Sequence, residues 1–154
     1  MRMMVLGIVS MAVWAVQAAG AQAPTADHFT RSEILERSKA LTLTNGSGST
    51  KLNEYPNHYT MVAIRHKDGG AEVHQEFSDI FFVVEGKATL LTGGEVENAK
   101  TASPGEIRGT AVKNGTSTPL SEGDVVHIPA GVPHQLLIAE GGTFVYFVVK
   151  AKEK

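Results

Sequence analysis

Past residue 46 the chain alternates short apolar runs with glycine-bearing turns, and that rhythm constrains its fold more than any other feature. Segments 59–65, 81–84, 88–91, 106–112, 125–128, 135–138 and 143–149 read as strands, with a period of two or continuous apolar character. Their separators are turn formers: Asp68-Gly69-Gly70, Glu85-Gly86, Gly93-Gly94, Pro104-Gly105, Asn114-Gly115, Glu122-Gly123-Asp124 and Gly141-Gly142. Glycine is correspondingly enriched, 16 residues in 154, against about 7% in average proteins. Short strands at this spacing, with no internal repeat, charge run or second domain, predict a single all-β barrel or sandwich.

The N-terminus follows a different rule. Met1-Arg2 leads into an uncharged stretch to Ala19, interrupted only by Ser10 and Gln17, and then into Ala-Gly-Ala-Gln-Ala-Pro. Such a charged start, short apolar core and small-residue exit predict a secretory signal peptide over 1–21. Cleavage is expected after Ala21; a cut after Ala23 would place Pro24 directly behind it. Removing 21 residues from 154 leaves 133, takes away Arg2 and Trp14, and implies a periplasmic or secreted protein with no membrane association after cleavage. The absence of cysteine excludes disulfide scaffolds and thiolate metal sites. Fourteen basic and 16 acidic residues leave no electrostatic footprint for nucleic acid.

Residues 22–45 form a lead-in. Thr30-Arg31-Ser32-Glu33 has the capping-box form, and Ile34, Leu35, Ser38 and Leu41 follow at loosely helical spacing, predicting one short helix near 31–40. Asn45-Gly46-Ser47-Gly48-Ser49 then breaks the chain, and 46–154 reads as the barrel domain.

Two segments carry the chemistry. One is Glu72-Val73-His74-Gln75-Glu76-Phe77-Ser78-Asp79, followed by an apolar strand and Glu85-Gly86; the other runs from Gly123 through Pro129-Ala130-Gly131-Val132-Pro133 to His134. Here the chain resembles the cupin superfamily, whose motifs are G-x5-H-x-H-x3/4-E-x6-G and G-x5-P-x-G-x2-H-x3-N. Gly123, Pro129, Gly131 and His134 match the second motif at its spacings, with Ile138 where the family often has Asn. In the first, His74 and Asp79 fall where the second His and the Glu stand relative to Gly86, Glu72 takes the first His position, and the leading Gly is missing. The resemblance implies a double-stranded β-helix barrel, a jelly roll, in which one short N-terminal helix is the addition. It also implies a homodimer, with 144–149 serving as its edge or as core.

A metal site also follows from residue chemistry. Residues two apart on a strand share a face, so Glu72 and His74, or His74 and Glu76, can converge on one ion. Two imidazoles and a carboxylate, His74, Asp79 and His134, form a set suited to Fe, Mn or Zn. Either Glu72 or Glu76 adds the fourth ligand, and the carboxylate left free is available as a general base. Arg65, on a strand expected to line the barrel, would hold a small anionic substrate. Arg108, in an added strand of the long link between the motifs, is either a second charge contact for the substrate or a surface arginine. His58, His66 and His127 match no ligand position. These features predict a small metalloenzyme of oxygenase or lyase type, or a non-catalytic receptor for a metal or small molecule using the same pocket; the fold does not choose between them.

Overall fold

The computed structural model describes residues 25–153. The expected signal peptide lies wholly outside that range, as do both cleavage sites. Helix α1 (Arg31–Lys39) is followed by twelve strands among the described residues: β1 (Ser47–Glu54), β2 (His58–Arg65), β3 (Ala71–His74), β4 (Phe77–Thr92), β5 (Glu95–Glu97), β6 (Lys100–Ser103), β7 (Glu106–Gly109), β8 (Ala111–Lys113), β9 (Thr116–Ser121), β10 (Val125–Ile128), β11 (His134–Leu137) and β12 (Phe144–Lys152).

The capping box starts α1 as its sequence requires. Thr30 accepts from the Glu33 amide while the Glu33 side chain accepts from the Thr30 amide. The helix packs Ile34 against Val62, Ile64 and Val145 on the outside of the barrel. This explains why β2 and β12 are apolar at consecutive positions. Ala63, Phe144, Tyr146 and Val148 point into the main core, whereas Val62, Ile64, Val145 and Phe147 are covered by α1 and its flanking chain. Strand β12 pairs with both β2 and β4, so 144–149 is a central core strand and not an edge.

The barrel closes through β4. Its first part lies between β12 and β10, and its second part between β9 and β11, so one strand of 16 residues serves both layers. The sequence predicts two strands separated by Glu85-Gly86; the backbone instead passes through with a register shift opposite Val145/Tyr146. Gly86 makes that passage possible, since it takes φ 87° and a Cβ there would collide with the Thr143 carbonyl oxygen. The order β1-β2-β12-β4-β11-β3-β7-β6, with β9 and β10 on β4, encloses a core of Phe81, Val83, Leu90, Leu120, Ile128 and Leu136 with the inward residues of β2 and β12.

Two other readings change. Segment 106–112 splits, because the Thr110 amide donates to the Glu97 carbonyl and hands the chain to β8, which pairs with β5 in a separate small sheet. The break at 45–49 is a two-residue turn in which Thr44 and Ser47 exchange backbone hydrogen bonds, and Ser47 already begins a strand paired with β2.

Candidate metal centre

The site lies in a cavity of about 460 Å³ between the two layers, with Met61, Phe81, Leu136 and Val148 among its apolar lining. Strand pairing places most of its polar side chains. Glu72 and His74 alternate on β3 and so share a face, and antiparallel β7 sets Arg108 directly opposite Glu72 and Glu106 directly opposite His74. On the other side of β3, His134 at the start of β11 also pairs with Glu72. Asp79, early in β4, pairs with Lys150 of β12.

His134 is aimed by the turn before it. Gly131 takes φ 81°, its amide donates to the His74 carbonyl at 2.7 Å, and the Val132 carbonyl accepts from His134 Nδ1 at 3.0 Å. A carbonyl can only accept, so the His134 proton sits on Nδ1 and the Nε2 lone pair faces the cavity. Burial holds the ring's pKa below its ordinary value, outweighing the Val132 carbonyl and the nearby Asp79 and Glu72 charges.

Ligand atoms of Glu72, His74 and His134 lie within 4.8 Å of one another. His74 Nε2 is buried without an aligned hydrogen-bond partner; its nearest acceptors are Glu72 Oε2 at 3.3 Å and Asp79 Oδ2 at 3.6 Å. Asp79 Oδ2 is also 3.7 Å from His134 Nε2, while Oδ1 meets the Lys150 ammonium in a close ion pair. A buried imidazole nitrogen without a partner, a neutral second imidazole and an ionised carboxylate form a donor set that fits a divalent cation.

The charges around this set are paired. Glu72 Oε1 lies 3.5 Å from Arg65 and Oε2 3.9 Å from Arg108, while Glu106 Oε2 forms an ion pair with Arg108 at 2.9 Å. Burial opposes ionisation of Glu72, but its contact with His74 and the Arg108 and Arg65 charges outweigh it and hold the carboxyl down at about 2. Arg65 is fixed by the Tyr146 hydroxyl at 2.9 Å and the Ser47 hydroxyl at 3.2 Å. Burial draws the Lys150 pKa down against the pull of Asp79.

The structure therefore brings Glu72, His74, Asp79, His134 and Arg65 to one cavity. Glu76 is not among them: it is exposed at the β3–β4 turn and does not line the cavity, so of the two candidate fourth ligands Glu72 is the one beside the histidines. Sequence reasoning missed Lys150 and Glu106. Lys150 had a signal, because it continues the inward positions 144, 146 and 148 of a strand that is apolar from 144 to 149. Glu106 had none without the β3–β7 register.

A conserved protein with a double-stranded β-helix domain from Klebsiella pneumoniae superposes with TM-score 0.57 at 19% identity, covering 83% of this chain and 91% of its own. The cupin domain of Cnp3 from Schizosaccharomyces pombe follows with TM-score 0.55 and 12% identity, over 75% of this chain and 71% of its own. The chain has the cupin fold. A recombinant oxalate oxidase in complex with glycolate shares that fold, with TM-score 0.52 and 16% identity over 73% of this chain and 54% of its own. No family model and no curated protein matches the sequence. At these identities the cupin likeness is one of architecture, and the site has to be read from its own residues.

Proposed function

We propose that the protein is an exported cupin-fold metalloprotein that holds Fe, Mn or Zn through Glu72, His74 and His134, with Asp79 adjoining. In this reading it acts on a small oxygenated or anionic substrate by oxygenase or lyase chemistry. One observation carries the proposal: three ligand atoms, two of them on buried imidazoles, converge within 4.8 Å in a cavity sized for a small molecule. A bound ion would supply Lewis acidity toward a substrate oxygen or a site for O2. The chain's own residues do the rest. Arg65 and Arg108 flank Glu72 and offer guanidinium donors to an anionic group. The oxalate oxidase neighbour, seen with the small hydroxy acid glycolate, supports a ligand of this size and charge.

The test is elemental analysis after anaerobic reconstitution, followed by O2 uptake with small hydroxy acids, diketones and catechols. About one ion per chain, lost in His74→Ala and His134→Ala, is expected; a wild-type protein that retains none rejects the proposal. A second reading, a receptor without turnover, is favoured by the pairing of every lining carboxylate with a cation inside the protein, which leaves no free general base. It predicts ligand-dependent thermal stabilisation with no product formed. Export is tested by fractionation and by the mass of the exported form, expected to begin at Gln22. The proposed form is a homodimer, for which Phe82 and Val125, 42% and 61% exposed and paired across β4 and β10, offer an apolar surface; light scattering checks it.

A further inference from the structure

We infer that Glu106 is a positioning residue of this centre: from β7 it holds the His74 proton on Nδ1, so that the Nε2 lone pair faces the cavity. The inference rests on the metal-site reading above for its purpose but not for its geometry. His74 is surrounded by three carboxylates that compete for one ring proton. On the cavity side Nε2 has Glu72 at 3.3 Å and Asp79 at 3.6 Å, without alignment to either. On the opposite side Nδ1 has both oxygens of Glu106, at 3.0 and 2.8 Å. The shorter, two-oxygen contact wins the proton. The alternative tautomer would point an N–H at the other ligands and block a cation, so the choice of ring nitrogen decides whether the cavity can be a metal site.

Glu106 is itself held in place. It stands directly opposite His74 in the β3–β7 ladder, and its Oε2 also forms an ion pair with Arg108 Nη2 at 2.9 Å. Arg108 in turn faces Glu72 across the same ladder, so Glu-x-His on one strand and Glu-x-Arg on its neighbour form a cross-strand quartet. The two histidines thus reach the same tautomer by different means, His134 through a backbone carbonyl and His74 through a carboxylate delivered by the link between the motifs.

Imidazole 15N shifts of the metal-free, histidine-labelled protein test this directly, with His74 assigned from a His74→Asn variant and the ring read at a pH above its own titration, located in the same experiment. The wild type should show a proton on Nδ1 and a bare Nε2. Glu106→Ala should move the proton toward Nε2 and weaken Zn2+ binding about 10–100-fold in competition with a chromophoric chelator. Glu106→Gln, whose amide oxygen still accepts, should keep the tautomer with a smaller loss. A wild-type ring protonated on Nε2 overturns the inference, and needs no variant to fold. So does a folded Glu106→Ala with unchanged tautomer and Zn2+ affinity. If the tautomer shifts but wild-type protein binds no Zn2+, the role of Glu106 stands and the metal-site reading fails.

Discussion

Two walls of the cavity are built by the same device and differ in burial. On β3 and β7, Glu72 faces Arg108 and His74 faces Glu106; on β4 and β12, Asp79 faces Lys150. Each wall opposes acid and base directly across an antiparallel ladder. The first stands near the cavity mouth, where the side chains of Glu72, Glu106 and Arg108 are 25%, 27% and 43% exposed; the second is sealed, with Asp79 and Lys150 at 4% and 9%. Exposure changes what the same pairing does. A sealed pair has no water to replace a lost partner, so it governs stability, whereas a half-exposed network can trade partners with a ligand or ion.

The largest expected effect therefore comes from the sealed wall. Lys150→Met replaces the ammonium with an uncharged chain of similar reach and leaves Asp79 buried with its charge uncompensated, which should cost about 3–5 kcal/mol in denaturant unfolding of the metal-free protein. Divalent metal should recover more stability in this variant than in the wild type, because the freed Asp79 carboxylate lies beside both imidazoles. Unchanged stability would show that the two walls are energetically alike.

Acid should weaken the mouth wall next. Glu72 is held at about 2 from an ordinary 4.5, a depressed carboxyl value, so its contribution is present above about pH 4.5 and is lost as pH falls from there toward 2. Discounted for partial exposure, that contribution is about 2 kcal/mol. Chemical denaturation of metal-free wild type and Glu72→Gln at pH 7 and pH 3 should show the wild type losing about 1 kcal/mol more, because pH 3 lies only part of the way from 4.5 down to 2.

The comparison also shows which parts of the site were legible in the sequence. Strand-forming runs, the capping box and the Gly123-to-His134 motif were readable because each depends on local spacing. The metal candidates Glu72, His74, Asp79 and His134 followed from side-chain alternation and motif position. Long-range register hid the rest: Glu106 joins the site, and Arg108 is told apart from a surface arginine, only once β7 lies antiparallel to β3. Strand β1, Ser-Gly-Ser-Thr-Lys-Leu-Asn-Glu, was missed because a largely exposed flank strand needs little apolar character. Continuity of β4 through Glu85-Gly86 was missed because a glycine that lets a strand cross between layers looks, in sequence, like one that ends it.

His134 belongs to neither pairing and depends on the turn, which gives a smaller test. A Cβ at Gly131 would meet nothing within 4 Å, so Gly131→Ala leaves only the strain of φ 81°, about 1–2 kcal/mol in thermal or denaturant unfolding. Metal affinity should fall with it if the turn aims the ring, since Gly131 is tied to the His74 carbonyl.

Arg108→Ala is expected to have the smallest effect on stability and so discriminates most sharply. The arginine touches two carboxylates of the mouth wall, Glu72 and Glu106, yet its side chain is 43% exposed and water can replace it, so unfolding should shift by no more than about 1 kcal/mol. Its loss removes a guanidinium from the cavity rim and one of two holds on Glu106, which the β3–β7 register still keeps opposite His74. Binding of a small anion such as glycolate, followed by calorimetry with metal present, should therefore weaken several-fold while Zn2+ affinity changes little. A loss of stability as large as that of Lys150→Met would mean that the mouth wall is as structural as the sealed one, and that the difference in exposure carries no functional division between them.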